Sequence, residues 1–205
     1  MYNKIYITNL IIKREKMKLV KLGLASILTA SALFGATFNV DKTHSSVGFK
    51  VKHMMISNVT GQFDNFKGSF EYDETKNVLE SLKGTVEVAS INTANAKRDN
   101  HLKESDFFAA EQFPEITFVL NKVDGDKAFG KLTMRGVTKD VELEVETSGR
   151  TIKDTRGKIR VGVTLEGEVN RFDYGIKYNS LLEAGGVAIG EKVKLIIELA
   201  GVKAQ

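Results

Sequence analysis

The segment formed by residues 91–120 holds the densest group of side chains that could do chemistry. Arg98, Asp99 and His101 lie within four positions of one another, and Pro114, the only proline of the chain, stands near the end of the segment. A guanidinium, a carboxylate and an imidazole so close together could transfer protons or bind an anion. We therefore expect a charged insert that lies as a lid across the rest of the fold.

The three histidines, His44, His53 and His101, are candidates for a zinc site, because three imidazoles and a water form a common catalytic centre. Their spacing lacks the short i, i+2 or i, i+4 pairs of common metal motifs. His53 continues the alternating series of apolar residues Val47, Phe49 and Val51, so it is expected to point into the fold. This favours a hydrogen-bonded interior histidine over a metal ligand. We expect no bound metal, and a metal-dependent enzyme that uses the three histidines is kept as the alternative function.

Ser45, His44 and Asp41 suggest a serine hydrolase only at first sight. Successive residues of a strand point to opposite faces, so His44 cannot easily take the proton of Ser45. The chain has neither a Gly-x-Ser-x-Gly elbow nor a cysteine nucleophile. We assign no catalytic residue and expect no enzyme activity.

Residues 17–36 have the three parts of a secretory signal peptide: two lysines, an apolar run and small residues at the end. The apolar run is shorter than the roughly 20 residues that cross a bilayer, so no transmembrane anchor is expected. We expect Met17 to be the true start and residues 1–16 to lie upstream of it. Cleavage is expected after Ala36, with the triplet at residues 30–32 as the alternative, and the product should be periplasmic or secreted.

Basic residues are concentrated in this leader. Residues 1–36 hold six basic residues and one acidic residue, so the formal charge falls from +4 for the whole chain to −1 for residues 37–205. The basic character therefore belongs to the export signal, and no nucleic-acid partner is expected. Residues 37–205 have the length of one ordinary domain, and without cysteine they must fold without disulfides.

Alternation of apolar and polar residues is the main structural signal of that domain, and it predicts strands with one buried face. The clearest alternating apolar sets are Val47-Phe49-Val51, Val141-Leu143-Val145, Val161-Val163-Leu165 and Val193-Leu195-Ile197-Leu199. About eight strands are expected, as a sandwich or an up-and-down barrel, and the barrel is favoured because closure removes exposed edges. An eight-stranded barrel is either filled by side chains or holds one small ligand. Periodicity alone favours the filled core.

Short motifs in a fixed order carry a resemblance to a known family. They are Phe38-Asn39-Val40-Asp41 with His44-Ser45, Val59-Thr60-Gly61-Gln62-Phe63, Ile91-Asn92-Thr93, Arg98-Asp99-Asn100-His101-Leu102, Asp106-Phe107-Phe108, Phe113-Pro114-Glu115-Ile116-Thr117-Phe118, residues 130–139 and Asn170-Arg171-Phe172-Asp173-Tyr174-Gly175. Together they resemble the YceI-like family over the whole of residues 37–205. Val59 to Phe63 resembles the first turn of the family. One departure is Phe38, where the family usually has tryptophan.

The resemblance implies an all-β, lipocalin-like, eight-stranded antiparallel β-barrel with a short helical insert around residues 94–112. It also implies an apolar tunnel for a long lipid tail, a homodimer, and binding rather than catalysis. The expected function is a periplasmic or secreted protein that sequesters or transports a polyisoprenoid or similar amphiphile, such as a quinone, a prenyl phosphate or a fatty amide. No resident cofactor is expected. A structural or stress-related dimer with a filled barrel is a further alternative.

The expected ligand-binding side chains combine the inward residues of the barrel with those of the insert. They are Phe49, Val51, His53, Phe63, Phe70, Arg98, Asp99, His101, Leu102, Phe107, Phe108, Phe118, Leu132, Arg171 and Phe172.

Within this set, Arg98, His101 and Arg171 are candidates to bind a polar head group, with Asp99 orienting one of them. The competing interpretation is that Arg98 pairs with Asp99, and Arg171 with Asp173, in salt bridges that fasten the insert. Phe107 and Phe108 are expected to pack over the mouth of the barrel.

Overall fold

The computed structural model of the protein describes residues 35–181 and 187–205. The expected start at Met17 and the expected signal peptide lie outside these residues, apart from Gly35 and Ala36, so both stay predictions. Where the structure describes the chain, none of its helices has the length and apolar character needed to span a membrane.

Within the described ranges the chain forms twelve strands and one α-helix. The strands are β1 (Ala36–Val40), β2 (Ser46–His53), β3 (Ser57–Phe63), β4 (Phe66–Asp73), β5 (Val78–Glu87), β6 (Ile91–Asn92), β7 (Glu115–Asp124), β8 (Lys127–Met134), β9 (Val137–Thr147), β10 (Ile152–Lys153), β11 (Ile159–Asn170) and β12 (Ile189–Lys203). The helix, α1 (Ala96–Lys103), lies in the expected insert. Short 3-10 helices occupy Lys42–His44, Val88–Ser90 and Arg171–Tyr174.

Eight of these strands close into an antiparallel ring, in the order β1, β4, β5, β7, β8, β9, β11, β12 and back to β1. The predicted lipocalin-like eight-stranded antiparallel barrel with a short helical insert is therefore confirmed. Alternation predicted β9, β11 and β12 directly, because their inner residues are apolar and many of their outer residues are charged. On the outer face, Lys194 of β12 pairs with Glu166 of β11 at 2.6 Å.

β12 holds the two ends of the barrel together. One of its edges pairs with β11 from Lys192 to Val202. Its other edge pairs with β1 near its end, where Phe38 lies opposite Lys203, and with β2 along the rest of its length. β3 then pairs with β2 and β6, whereas β4 pairs with β1 and β5. The wall therefore divides between β3 and β4, and the closed ring continues through β4.

Residues 59–63 belong to β3, which corrects the interpretation of Val59 to Phe63 as a turn. Val59, Gly61 and Phe63 alternate with polar residues, but the glycine weakens the apolar signal of the strand. The glycine has a packing reason, because a side chain at position 61 would collide with the ring of Phe49.

The packed core lies at the end of the barrel formed by β1 and β4, which we call the filled end. Phe38 stacks on Phe70 with ring centroids 5.6 Å apart, and Tyr72 meets Phe38 edge to face at 6.2 Å. All three side chains are almost fully buried. Phe70 was expected to contact the ligand, but it lies in this packed core and not beside the cavity described below. Alternation correctly placed it inside the barrel without indicating at which end.

Candidate functional site

A cavity of about 190 Å³ lies inside the barrel beyond the filled end, and we call it the tunnel. Its walls come from strands on all sides of the ring and from the insert, and they are almost entirely apolar. The expected residues that line it are Phe49, Val51, Phe63, Leu102, Phe107, Phe108, Phe118, Leu132 and Arg171. The barrel is therefore filled only at one end, which does not support the alternative of a completely filled core.

A second cavity, of about 570 Å³, opens between the β2–β3 hairpin and α1, and we call it the cleft. His53, Arg98 and His101 line it, as expected. Lys52 and Lys97 line it as well, and Glu104 is the one acidic residue among its lining residues. The cleft therefore carries an excess of positive charge.

The tunnel and the cleft share part of their walls. The shared residues are Phe49, Val51, Leu102, Phe107 and Ile189. Leu102 and Phe107 come from the insert, whereas the other three come from β2 and β12. Since the two cavities meet at these side chains, a molecule with an apolar tail in the tunnel can hold a polar group in the cleft.

The insert begins with a capped helix. Asn95 precedes α1, and its side-chain oxygen accepts a hydrogen bond from the backbone N–H of Arg98 at 3.0 Å. Asparagine is a preferred cap because it satisfies one of the N–H groups that a helix leaves without partners. The sequence therefore fixes the position at which the insert turns into a helix, and with it the side chains that face the cleft.

Arg98 and Asp99 both bind Thr93 rather than each other. The guanidinium of Arg98 donates from Nε to Thr93 Oγ1 at 2.7 Å and from Nη2 to the carbonyl oxygen at 2.8 Å. The carboxylate of Asp99 accepts from the backbone N–H and the hydroxyl of the same threonine. Asp99 does not line the tunnel or the cleft, so it holds the base of the helix. The Arg98–Asp99 salt bridge of the competing interpretation is replaced by this shared contact.

An aromatic cluster connects the insert to Tyr178, in the segment before β12. His101 packs edge to face against both Phe107 and Tyr178, each at 4.9 Å between ring centroids. The imidazole also contacts Asp106, with Nε2 and the carboxylate oxygen 2.9 Å apart. Phe108 turns the other way and meets Phe63 edge to face at 6.1 Å. Both phenylalanines line the tunnel, and Phe107 lines the cleft as well.

Arg135 fastens the insert to the barrel from the turn between β8 and β9. Its guanidinium donates to the carbonyl oxygens of Phe107 at 2.5 Å and Ser105 at 2.8 Å. It also donates to the carbonyl of Gly175 at 3.2 Å. One side chain therefore joins the insert to the segment that follows β11.

Arg171 is buried, with only 4% of its surface exposed, and its guanidinium donates four hydrogen bonds to the main chain. It donates to the carbonyl oxygens of Ile176, Tyr178, Ile189 and Gly190, at distances between 2.8 and 3.2 Å. Burial lowers the pKa of this guanidinium from its ordinary value, because the low-dielectric interior disfavours the charged form.

In the described part of the chain, no ion pair joins Arg171 to Asp173. Arg171 therefore ties the segment around residue 177 to the start of β12, next to the tunnel that it also lines. Phe172 was expected to contact the ligand, but it packs under the guanidinium of Arg171 at 4.7 Å and lines neither cavity.

The three histidines do not lie at one site. His53 and His101 line the cleft, whereas His44 borders a different surface cavity near the C-terminal end of β12, where it contacts Asp41 at 2.9 Å. Across residues 35–181 and 187–205, no group of three or more histidine, aspartate or glutamate side chains is arranged to hold a metal ion. The structure therefore gives no support to the metal-enzyme alternative.

Sequence reasoning missed several residues of the site. Lys52 and Lys97 line the cleft, and both adjoin residues that were identified, so extending the predicted set by one position would have found them. Thr93 belongs to a motif that was identified, but its contacts, like those of Tyr178, were not predicted, because they depend on how the insert and the loop before β12 fold over the barrel.

Comparison with known proteins agrees with this architecture. A family model described as "YceI-like domain" matches residues 38–200. A UPF0312 protein of Staphylococcus aureus (strain MSSA476) is 43% identical over 159 residues, which cover 77% of this chain and 92% of that protein.

Two solved structures are similar to the chain. The Campylobacter jejuni YCEI protein, described as crystallising with large solvent channels, is 35% identical, with a TM-score of 0.64, and the match covers 81% of this chain and 97% of that one. A polyisoprenoid binding domain from Saccharophagus degradans has a TM-score of 0.60 at 17% identity, and the match covers 82% of this chain and 99% of that one. At 17% identity, the second likeness shows the fold alone.

Proposed function

The chain belongs to the YceI-like family, and from that membership and its hollow barrel we propose that it binds a polyisoprenoid or similar long-chain amphiphile, which it sequesters or transports. The observation that carries the proposal is the meeting of an apolar tunnel and a positively charged cleft at five shared residues. The name of the S. degradans domain is consistent with this ligand class.

The tail of the ligand occupies the tunnel. Each methylene group removed from water contributes on the order of 0.8 kcal/mol, so a long chain gains affinity without any specific polar contact. The tunnel is close in size to apolar cavities of about 150 Å³ that bind benzene-sized molecules. It therefore holds the end of the tail, and the remainder extends past Leu102 and Phe107 into the cleft.

The head group lies in the cleft, where Lys52, Lys97 and Arg98 provide positive charge. Part of the guanidinium of Arg98 is already bound to Thr93, which fixes the direction of its remaining N–H groups. His101 adds an exposed imidazole on the same side. These groups favour an anionic or strongly hydrogen-bonding head group, such as a prenyl phosphate, over a neutral one. Arg171, whose donors are largely engaged by carbonyl groups, acts as a structural support of the mouth.

We also propose that the protein binds its ligand without chemical conversion, that it acts in the periplasm or as a secreted protein, and that it forms a homodimer. The sequence of residues 17–36 supports export, and resemblance to the family supports the dimer. N-terminal sequencing of the protein from fractionated cells tests export. Light scattering of the purified protein tests the dimer, and a single monomeric species contradicts it.

Lipid extraction is the direct test of binding. The protein is purified without detergent from cells that express the full chain, extracted with organic solvent, and analysed by mass spectrometry for bound lipid. We expect a long-chain amphiphile in stoichiometric amount. A clean extract, together with no rise in melting temperature on addition of isoprenoid quinones, prenyl phosphates or fatty amides, contradicts the proposal.

A matched pair of variants distinguishes lipid binding in the tunnel from nonspecific lipid binding on the surface of the sheet. Val193 lines the tunnel, and Val193→Phe places extra volume in the cavity without opening the core. Val119 is 39% exposed on β7, so Val119→Phe adds the same side chain on the surface. We expect the first variant to lose lipid while it remains folded, and the second to retain it. Equal lipid content in the two variants contradicts a ligand in the tunnel.

A further inference from the structure

The hairpin between β2 and β3 ends in three exposed apolar side chains, Met54, Met55 and Ile56, which we call the apolar tip. Their exposed fractions are 44%, 62% and 84%. Exposed apolar residues scattered singly are common on protein surfaces, but a contiguous group usually marks a surface that contacts something else. Here three consecutive residues project from the end of a hairpin.

Two residues of the apolar tip have a backbone conformation that methionine rarely adopts. Met54 and Met55 have φ angles of +49° and +63°, and the N–H of Ile56 donates to the carbonyl of His53 at 3.2 Å. Two successive positive φ angles define a type I′ turn, for which asparagine followed by glycine is strongly preferred. Stability therefore does not explain two methionines at these positions, and strained positions of this kind concentrate at functional sites.

The apolar tip stands directly beside the cleft. Lys52 and His53 line the cleft and precede Met54 in the chain. On the other side, the N–H of Met54 donates to the carbonyl of Ala188 at 2.7 Å, which fixes the turn against the segment that leads into β12. Leu181 adds another exposed apolar side chain, about two strand spacings, or ~10 Å, from the hairpin.

We propose that the apolar tip and the positively charged rim of the cleft form a docking surface for an anionic phospholipid bilayer. Methionine and isoleucine side chains enter the boundary between head groups and acyl chains, while Lys52 and Lys97 contact lipid phosphates. Charge complementarity selects a membrane over a second copy of the chain, because two copies joined here would bring like charges together. The tunnel mouth then faces the membrane, from which an amphiphile can enter it.

This proposal extends the proposed function, but it is tested by a different measurement. The barrel strands all lie within residues 36–203, so a chain that begins at Gly35 keeps the whole fold and omits the apolar leader. That chain is mixed with vesicles of phosphatidylglycerol and phosphatidylcholine in equal amounts, and separately with pure phosphatidylcholine vesicles, and bound protein is measured by co-sedimentation. We expect binding to the anionic vesicles that weakens as salt is added.

The decisive variant is Met54→Asn combined with Met55→Gly. This change supplies the preferred residues of a type I′ turn, so the melting temperature should rise or stay equal while vesicle binding weakens about ten-fold or more. Ile152→Gln is the matched control, because Ile152 is 54% exposed on β10, away from the cleft. The control should bind vesicles as the unaltered chain does.

Four results overturn the docking surface. The first three are no binding to anionic vesicles, equal binding by the tip variant, and an equal loss in the Ile152→Gln control. A concentration-dependent dimer that the tip variant abolishes also overturns it, since the occupant is then a second copy. Lipid extraction and vesicle binding are read separately. If the protein contains lipid but does not bind vesicles, only the docking surface is contradicted. If the protein binds vesicles but contains no lipid, only the proposed lipid binding is contradicted.

Discussion

At the filled end of the barrel, Phe38 and Phe70 stack at 5.6 Å, and Gly201 opposite them leaves room for the ring of Phe70. At the other end, Phe49 and Phe63 stand 5.8 Å apart, yet they border a cavity of about 190 Å³. The same kinds of side chain therefore give a packed core in one place and a hollow in the other.

The two ends differ in how their strands pair. At the filled end, β4 pairs with both β1 and β5, so the walls of the ring lie close enough for aromatic rings to meet across it. At the other end, β3 pairs with β2 and β6 and not with β4, so the wall is interrupted there. The insert covers the resulting gap without filling it. A cavity in such a barrel is thus set by how strands pair, and hydrophobicity alone does not reveal it.

The largest expected contrast is between Phe70→Ala and Phe49→Ala. Phe70→Ala opens a cavity in the packed core and should lower the free energy of unfolding by about 3–5 kcal/mol. Phe49 already borders a cavity and is partly exposed, so its loss should cost about 1–2 kcal/mol while lipid binding falls. Urea unfolding followed by circular dichroism measures both. Equal losses would show that the two ends are packed alike.

The next effect concerns the support of the tunnel mouth. Arg171→Met removes hydrogen bonds to four carbonyl groups and should lower the free energy of unfolding by about 3 kcal/mol. Arg171→Lys should not restore it, because an ammonium group has three donors and lacks the planar fork. Full stability of the lysine variant, measured by thermal unfolding, would show that charge matters more than geometry at this position.

A smaller effect is expected where the insert is fastened to the barrel. Arg135→Ala removes three hydrogen bonds to carbonyl groups and should cost about 1–2 kcal/mol. Hydrogen exchange should accelerate at residues 105–109, and a bound lipid should dissociate faster, while the filled end stays protected. Arg150→Ala, at an exposed position, is the control. Uniform exchange across both ends of the Arg135 variant would contradict a local role.

The smallest expected effect is a dependence of stability on acidic pH, which arises from ion pairs near the end of β1 and the start of β11. Arg160 donates to Asp41 at 2.6 Å and to Asp154 at 2.7 Å, and these hydrogen bonds hold the pKa of both carboxyl groups below the ordinary range, with His44 adding to the effect on Asp41. A lowered folded-state pKa gives stability that is complete above about pH 5 and is lost as the pH falls below about 4.

Arg160→Gln should therefore reduce the loss of stability between neutral and acidic pH. Lys131→Gln, which breaks an exposed pair with Asp140, should leave the pH dependence as it is. Acid titration of the melting temperature compares the two variants with the unaltered chain. An unchanged acid profile in the Arg160 variant would show that these ion pairs do not contribute to the pH dependence of stability.

The sequence predicted the barrel because alternation reports which face of a strand is buried, as in β9, β11 and β12. It could not place Phe70 and Phe49 at different ends, because both satisfy the same alternation. In the insert, it identified Arg98 and Asp99 as residues that act together, but it did not identify Thr93 as the residue that binds both side chains. Thr93 is their common partner only because the chain turns between β6 and α1, and such a turn depends on backbone geometry that short-range patterns do not encode.

β12 is the last of the barrel strands along the described chain, and this order has a consequence for how the barrel forms. Phe38, near the beginning of the described chain, pairs with Lys203, near its end, and β2 and β11 also need β12 as a partner. The ring therefore cannot close before β12 is available to pair with β1 and β11. Folding dominated by such non-local pairing is expected on the scale of milliseconds to seconds, and until then the edges of β1, β2 and β11 are open to other chains.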